Sequence, residues 1–321
     1  MNDVMVLGGG AWGTALALQA DRAGARTTLW LRNPVQAAAL TQTRINPQLP
    51  ATKLPLAIHI TTALDTPSRL RLLAVPAQQI RPLAALLPHG APLVVCAKGI
   101  ETGTGLLPLD VLAETCPDLP AAVLSGPNFA HEIAAGLPAA SVIASTDPAL
   151  RAQATELLGT ASFRLYGNDD PIGVQIGGAA KNVVAIAAGA VIGAGLGENA
   201  RAALVTRGLA ELARLSTALG GRPETVAGLS GMGDLLLTCT GPASRNYSLG
   251  HALGRGETLA NALSHASGVA EGVTTAPALQ QRAERLNLEL PICAAVADLI
   301  AGRTDLAQAI AALLARPRRQ E

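Results

Sequence analysis

Short apolar runs alternate with helix-length segments over the first half of the chain. "DVMVL", "TTLWL", "LRLLAVP", "PLVVCAKG", "AAVLSG" and "ASVIAS" are each bounded by proline, glycine or polar turns. Strand-like runs spaced by helices predict a parallel sheet with right-handed crossovers, whose ligands sit beyond the carboxyl ends of the strands. After Asp170 the pattern changes to long Ala/Leu segments of helical period, such as "ARAALVTRGLAELARLSTALG" and "AVADLIAGRTDLAQAIAALLA". The expected architecture is an α/β domain over residues 1–170 and an all-α domain over residues 171–321. A chain of 321 residues suits two cores better than one.

Composition narrows the function classes. The chain is 49% hydrophobic and only 15% charged, against about 25% charged for an average protein. A formal net charge of +1 gives no footprint for nucleic acid or an acidic membrane surface. The closing "RPRRQE" is a local basic cluster, expected to be a frayed terminus rather than a binding element. No uncharged apolar span reaches membrane length, the nearest being Val183 to Gly197. The N-terminus has neither a basic n-region nor a cleavage site, so no signal peptide is expected. Cys96, Cys116, Cys239 and Cys293 lack C-x-x-C spacing. They are expected to be reduced thiols in a cytoplasmic protein, with no metal site and no disulfide framework.

Chemistry enters at "VMVLGGGAWGTALALQ", where Gly8-x-Gly10-x-x-Gly13 falls between a strand and a helix. The first glycine makes the turn, the second lets a pyrophosphate approach the backbone, and the third packs helix on strand. This marks the first domain as Rossmann-type and dinucleotide-binding. About 20 residues on, an NAD-preferring site carries an acid. Here "LWLRN" places Arg32 instead. A guanidinium can pair with a 2′-phosphate, so NADPH is expected to be accepted, and a preference for it is the bolder expectation. An ordinary surface arginine explains Arg32 equally well.

The base-rich residues are oddly distributed: 21 arginines but only Lys53, Lys98 and Lys181. Lysine, unlike arginine, can be desolvated into proton-transfer range. Lys181 is the single charge in "PIGVQIGGAAKNVVAIAAGAVIGAG", a segment otherwise apolar on every face, so a general acid/base is indicated. A snorkelling or salt-bridged lysine is the plain alternative. Lys98, in "VVCAKG", stands where a strand ends at the ligand edge of the sheet, and an ordinary loop lysine explains it equally well in isolation. Downstream, Gly228, Gly231 and Gly233 surround Asp234, and Ser244-Arg245-Asn246 opens a helix. An acid in a glycine turn can orient an ammonium, and hydroxyl, guanidinium and amide groups at a helix start suit a phosphate; taken singly, a turn aspartate and a capped helix are the plainer readings.

Taken in order, "GGGAWGTALA", "AVPAQ", "CAKGIE", "LSGPNFAHEIAAGLPAA", "GGAAKNVVAIAAG", "ENARAALVTRGLAE", "GLSGMGDLLLTC", "SRN" and "VAEGVTTA" resemble the bacterial-type NAD(P)-dependent sn-glycerol-3-phosphate dehydrogenases over nearly the whole chain. The resemblance implies catalysis in the cleft between a Rossmann domain and a helical domain. Lys181 would exchange the proton on the C2 oxygen, with Asp234 beside it. Lys98 would face both nicotinamide and substrate. Ser244, Arg245 and Asn246 would hold the glycerol phosphate, and Gly126 and Asn128 would line the substrate. Gly8, Gly10, Ala11, Trp12, Gly13, Arg32, Lys98, Ala130, Arg245, Val269 and Glu271 would contact NAD(P)H. It also implies a homodimer, a phosphorylated small-molecule substrate, no stable membrane association and a role in phospholipid synthesis.

The sequence departs from the family pattern at Ala11 and Asn128, where serine, or serine or threonine, is usual. Gln175 stands for a common glutamate, and no basic pair follows "SRN". Two alternatives stay open. A related keto or hydroxy acid reductase is opposed by the phosphate clamp, and a non-catalytic dinucleotide sensor has no need of a desolvated lysine.

Overall fold

The computed structural model describes residues 2–265 and 270–315, so the "RPRRQE" tail lies outside the described residues. Eight strands form one sheet: β1 (Asn2–Leu7), β2 (Thr27–Trp30), β3 (His59–Thr61), β4 (Ser68–Leu73), β5 (Leu93–Val95), β6 (Ala121–Ser125), β7 (Ala139–Ala144) and β8 (Phe163–Asn168). Their order is β3-β2-β1-β4-β5-β6-β7-β8. The chain leaves β1 to one side and returns to its other side at β4, which makes the end of β1 the topological switch point where such sheets bind ligands.

Both sheet faces are covered, which is why the central strands read as largely apolar runs, with Arg71 in β4 a buried exception. Val4, Val6, Leu70, Leu72, Val94 and Leu124 point into one core with the helices Ala11–Arg22, Ala130–Ala135 and Pro148–Leu158. Met5, Leu7, Leu73, Leu93 and Val95 point into the other, against the helices Ile80–Ala84 and Pro108–Thr115.

The pattern did not reveal two strands, β3 and β8. Both lie at sheet edges, and β8 alternates buried Phe163 with exposed Arg164 and Tyr166. The sheet is parallel except at β6–β7, where Val123 faces Ala144 in antiparallel register. The helix joining those two strands has six residues and spans about 9 Å. That is too short to carry the chain back along a strand of about 16 Å for a parallel return.

The chain divides into two compact units, 1–98 with 106–175, and 99–105 with 176–321. The second has no strand among its described residues. Its axis is the helix Pro171–Gly193, which is apolar and long enough to span a membrane. Yet 83% of its most apolar window is buried inside the protein, as befits a core helix. Five glycines within it cost about 1 kcal/mol each relative to alanine. Close packing offsets that cost. A Cβ on Gly189 would lie 2.0 Å from the Tyr247 carbonyl, and one on Gly250 would lie 1.9 Å from the Ile186 carbonyl. The helix Arg245–Gly254 therefore meets the central helix backbone to backbone. All four cysteines are free and buried.

Candidate active site

In the first unit the glycine loop can be tested glycine by glycine. Gly8 has φ +125°, and a Cβ there would sit 2.6 Å from the Ala74 carbonyl. A Cβ on Gly13 would be 1.9 Å from the Gly8 carbonyl, and one on Gly9 would be 2.4 Å from Leu31. The chain's own packing thus demands these three. Gly10 differs, because a Cβ there would meet nothing nearer than Gln48 Oε1 at 3.6 Å. It caps a helix with no acid in its first turn, whose free N–H groups favour an anion. A bare glycine facing open space at that helix end fits a dinucleotide pyrophosphate.

Two residues that the sequence did not single out organise this loop. The Ala11 N–H donates to Gln48 Oε1 at 2.9 Å. Asn46 Nδ2 donates to the Gly9 carbonyl at 2.9 Å and to Thr14 Oγ1 at 2.6 Å. The Trp12 indole donates to the Cys96 carbonyl at 3.2 Å. Arg32 lies exposed just past β2 and donates to Gln79 Oε1 at 3.2 Å.

At the carboxyl ends of β5 and β6, Lys98 Nζ donates to the Gly126 carbonyl at 3.0 Å. Gly126 has φ +150° because its loop lies against β7, where a Cβ would be 2.9 Å from Ser141 Cα. Asn128 Nδ2 donates to Ser141 Oγ at 2.6 Å. Ala130 opens the following helix, whose last carbonyls accept from Arg22. Gln175 accepts from the Leu109 N–H and donates to the Pro171 carbonyl.

In the second unit the isolated lysine finds its partners. Lys181 is 6% exposed and Asp234 is wholly buried, and they form an ion pair. Lys181 Nζ also donates to Thr238 Oγ1 at 3.0 Å. Gly177, one turn before Lys181 on the same helix face, allows the approach: a Cβ there would lie 2.6 Å from the Ser230 carbonyl. The π-helical segment Leu229–Gly233 settles onto that gap and delivers Asp234 as the first residue of the next helix. Thr238 follows Asp234 by four residues and so shares its helix face, a spacing that would have revealed it. Removing two charges from water costs several kcal/mol per ion unless pairing and hydrogen bonds compensate. Burial also pushes the neighbouring Cys239 thiol up to about 12 despite the nearby Lys181 charge, leaving it a neutral bystander.

The expected phosphate-binding triplet divides in role. Ser244 Oγ accepts from the Tyr247 N–H at 3.2 Å and caps the helix. The buried Asn246 amide donates to Asn182 Oδ1 at 3.0 Å and accepts from the Gly272 N–H at 2.9 Å. Arg245, between them, is exposed and its side chain makes no hydrogen bond or ion pair among the described residues. Glu271 begins the helix Glu271–Arg285, and Val269 lies outside the described residues.

Residues 3–151 match the family described as NAD-dependent glycerol-3-phosphate dehydrogenase N-terminus, and residues 170–311 match its C-terminus counterpart. A curated glycerol-3-phosphate dehydrogenase [NAD(P)+] of Gluconobacter oxydans is 52% identical, with 99% of this chain and 98% of that protein covered. One from Acidiphilium cryptum is 53% identical over 98% of this chain and 97% of the relative. The crystal structure of glycerol-3-phosphate dehydrogenase from Coxiella burnetii superposes with a TM-score of 0.94 at 35% identity, covering 98% of this chain and 99% of that one.

Proposed function

The chain belongs to the NAD-dependent glycerol-3-phosphate dehydrogenase family, and on that premise we propose how its own residues interconvert dihydroxyacetone phosphate and sn-glycerol 3-phosphate. It is an NAD(P)-dependent oxidoreductase acting on a CH–OH group. When bound, the nicotinamide supplies or accepts the hydride at C2. Reduction leaves charge on the C2 oxygen, and Lys181 stabilises that oxygen as it forms and gives it a proton. Asp234 and Thr238 fix the position of Nζ. In the oxidative direction the same nitrogen takes the proton back.

Lys98 presents a second ammonium at the strand ends, beside both substrate and nicotinamide, while Gly126 and Asn128 line the substrate. Arg245 reaches the substrate phosphate from the helix start. Ser244 keeps a hydroxyl proton to donate to it, and Asn246 holds that helix start in place. Gly8, Gly10, Ala11, Trp12 and Gly13 cradle the dinucleotide, with Ala130, Arg245 and Glu271 as further contacts. Arg32 meets a 2′-phosphate and favours NADPH. A cytoplasmic homodimer supplying glycerol 3-phosphate to phospholipid synthesis completes the proposal.

The observation that carries this assignment is the ammonium buried against Asp234 and Thr238. Absorbance at 340 nm, followed with dihydroxyacetone phosphate and each reduced cofactor in turn, tests the whole. Oxidation should require the phosphate ester and fail with unphosphorylated dihydroxyacetone. A strong NADH preference would remove the role given to Arg32.

A further inference from the structure

The chain passes from one compact unit to the other directly after Lys98. Residues up to Lys98 belong to the first unit, Gly99–Gly105 pack with the second, and Leu106 returns to the first. Lys98 is therefore held from two sides. Behind it, β5 ends at Val95 in the sheet, and Nζ donates to the Gly126 carbonyl at 3.0 Å. Ahead of it runs a short strap whose fixed points belong to the second unit.

The strap is closed on itself. The Gly105 N–H donates to the Glu101 carbonyl at 2.9 Å, and Thr104 Oγ1 donates to Glu101 Oε2 at 2.6 Å. Gly103 and Gly105 have φ of +86° and +72°, a conformation that lets so few residues turn back. Two arginines one turn apart on the helix Glu271–Arg285 hold this ring. Arg285 Nη1 donates to the Thr104 carbonyl at 2.8 Å. A Cβ on Gly105 would lie 3.7 Å from Arg285 Nη1 and 3.8 Å from Arg282 Cδ, so both side chains lie against the turn. Ile100, between the ring and Lys98, is wholly buried. From Lys98 to Glu101 the chain reaches about 10 Å at most, so a shift of the ring is passed to the backbone of Lys98.

We propose that Arg285 is a positioning residue for the reaction: by anchoring the strap it sets where Lys98 stands, and so where the second ammonium of the site is presented. The proposal rests on the dehydrogenase reading above, which gives Lys98 its place beside substrate and nicotinamide. Arginine suits the task, because a guanidinium keeps its charge at any working pH and its hydrogen bonds are the stronger for that charge. Arg285 and Thr104 are 181 residues apart, so no local motif joins them.

Two measurements test the role, and the first is independent of turnover. The chain has only three lysines, so amine acylation followed by mass spectrometry reads half-buried Lys98 against exposed Lys53 as internal reference. Arg285→Ala should raise the acylation rate of Lys98 relative to Lys53 about threefold or more, with the thermal midpoint unchanged. Arg285→Lys, which keeps a donor for the Thr104 carbonyl, should stay near the wild type. An unchanged ratio in Arg285→Ala would overturn the anchoring of Lys98. The second measurement reads the chemistry. Arg285→Ala should lower kcat/KM for dihydroxyacetone phosphate about ten- to a hundredfold, yet add nothing in a Lys98→Met background, which has no ammonium left to misplace. Additive losses, or full activity of Arg285→Ala, would overturn the positioning role. A wild type that shows the acylation difference but reduces dihydroxyacetone phosphate with neither cofactor would uphold the anchor and strike the dehydrogenase reading.

Discussion

Lys181 keeps its charge in an apolar helix because Asp234 is delivered to it, and each depends on the other. Because Asp234 is wholly buried, removing the lysine strikes the fold as well as the chemistry. Breaking a buried pair from one side destabilises by about 3–5 kcal/mol. Lys181→Ala should therefore lower kcat by about two to four orders of magnitude and lower the melting temperature as well. Adding Asp234→Asn should restore much of the stability without restoring turnover. Near-normal turnover in the single variant would remove Lys181 from the chemistry. Lys181 was legible because only three lysines stand among 24 basic residues, and Asp234 because glycines crowd it. Thr238 stands four residues after Asp234 and could have been read from that spacing. Ser141 and Gln48 were not legible, because a hydroxyl or amide acquires meaning only from a partner that is distant in sequence. The Gln48 and Ala11 pair, 37 residues apart, is one such case.

Among elements, the central strands and the buried helix were legible from largely apolar runs, whereas β3 and β8 carry the weaker signal of edges. The antiparallel β6–β7 pair depends on the length of one connecting helix, a quantity that apolar pattern does not measure. Helix ends raise the same difficulty. The helix Pro291–Ile300 has Leu290 at its N-cap, which offers no side-chain hydrogen bond. Its first N–H groups are met instead by Glu211 from the helix Gly197–Ala218: Oε1 accepts from Ile292 at 2.7 Å and Oε2 from Cys293 at 3.1 Å. Burial raises the Glu211 carboxyl above its ordinary 4.5, outweighing the two amide contacts that lower it. The folded state then holds this proton more tightly than the unfolded chain does. The group's contribution to stability is full below pH 4.5 and declines as pH rises through the folded value. Glu211→Gln lacks that titration. Denaturant unfolding at several pH values between about 4 and 7 should show the wild type losing ground to the variant as pH rises. A constant gap would mean that burial and the two amides balance.

On the scale of the whole chain, the first of the two compact units can be watched alone because Trp12 and Trp30 are the only tryptophans and both lie within it. Tryptophan fluorescence therefore reports unfolding around the glycine loop. A ligand that binds only the folded state, present at a hundred times its dissociation constant, stabilises by about 2.7 kcal/mol. For a unit of this size that corresponds to a rise in midpoint of roughly 5–10 °C. Oxidised dinucleotide should produce that rise, and Gly10→Ala separates packing from binding. The chain tolerates a Cβ at this position, since its nearest neighbour would be a side-chain oxygen at 3.6 Å. The unliganded midpoint should stay where it is, while the rise with dinucleotide should shrink or vanish as the methyl intrudes on the pyrophosphate. A variant that responds as the wild type does would mean that the pyrophosphate lies elsewhere, and that Gly10 is bare for a reason internal to the loop. Gly13→Ala makes the opposite control, because its Cβ would meet the Gly8 carbonyl at 1.9 Å, so the unliganded midpoint itself should fall.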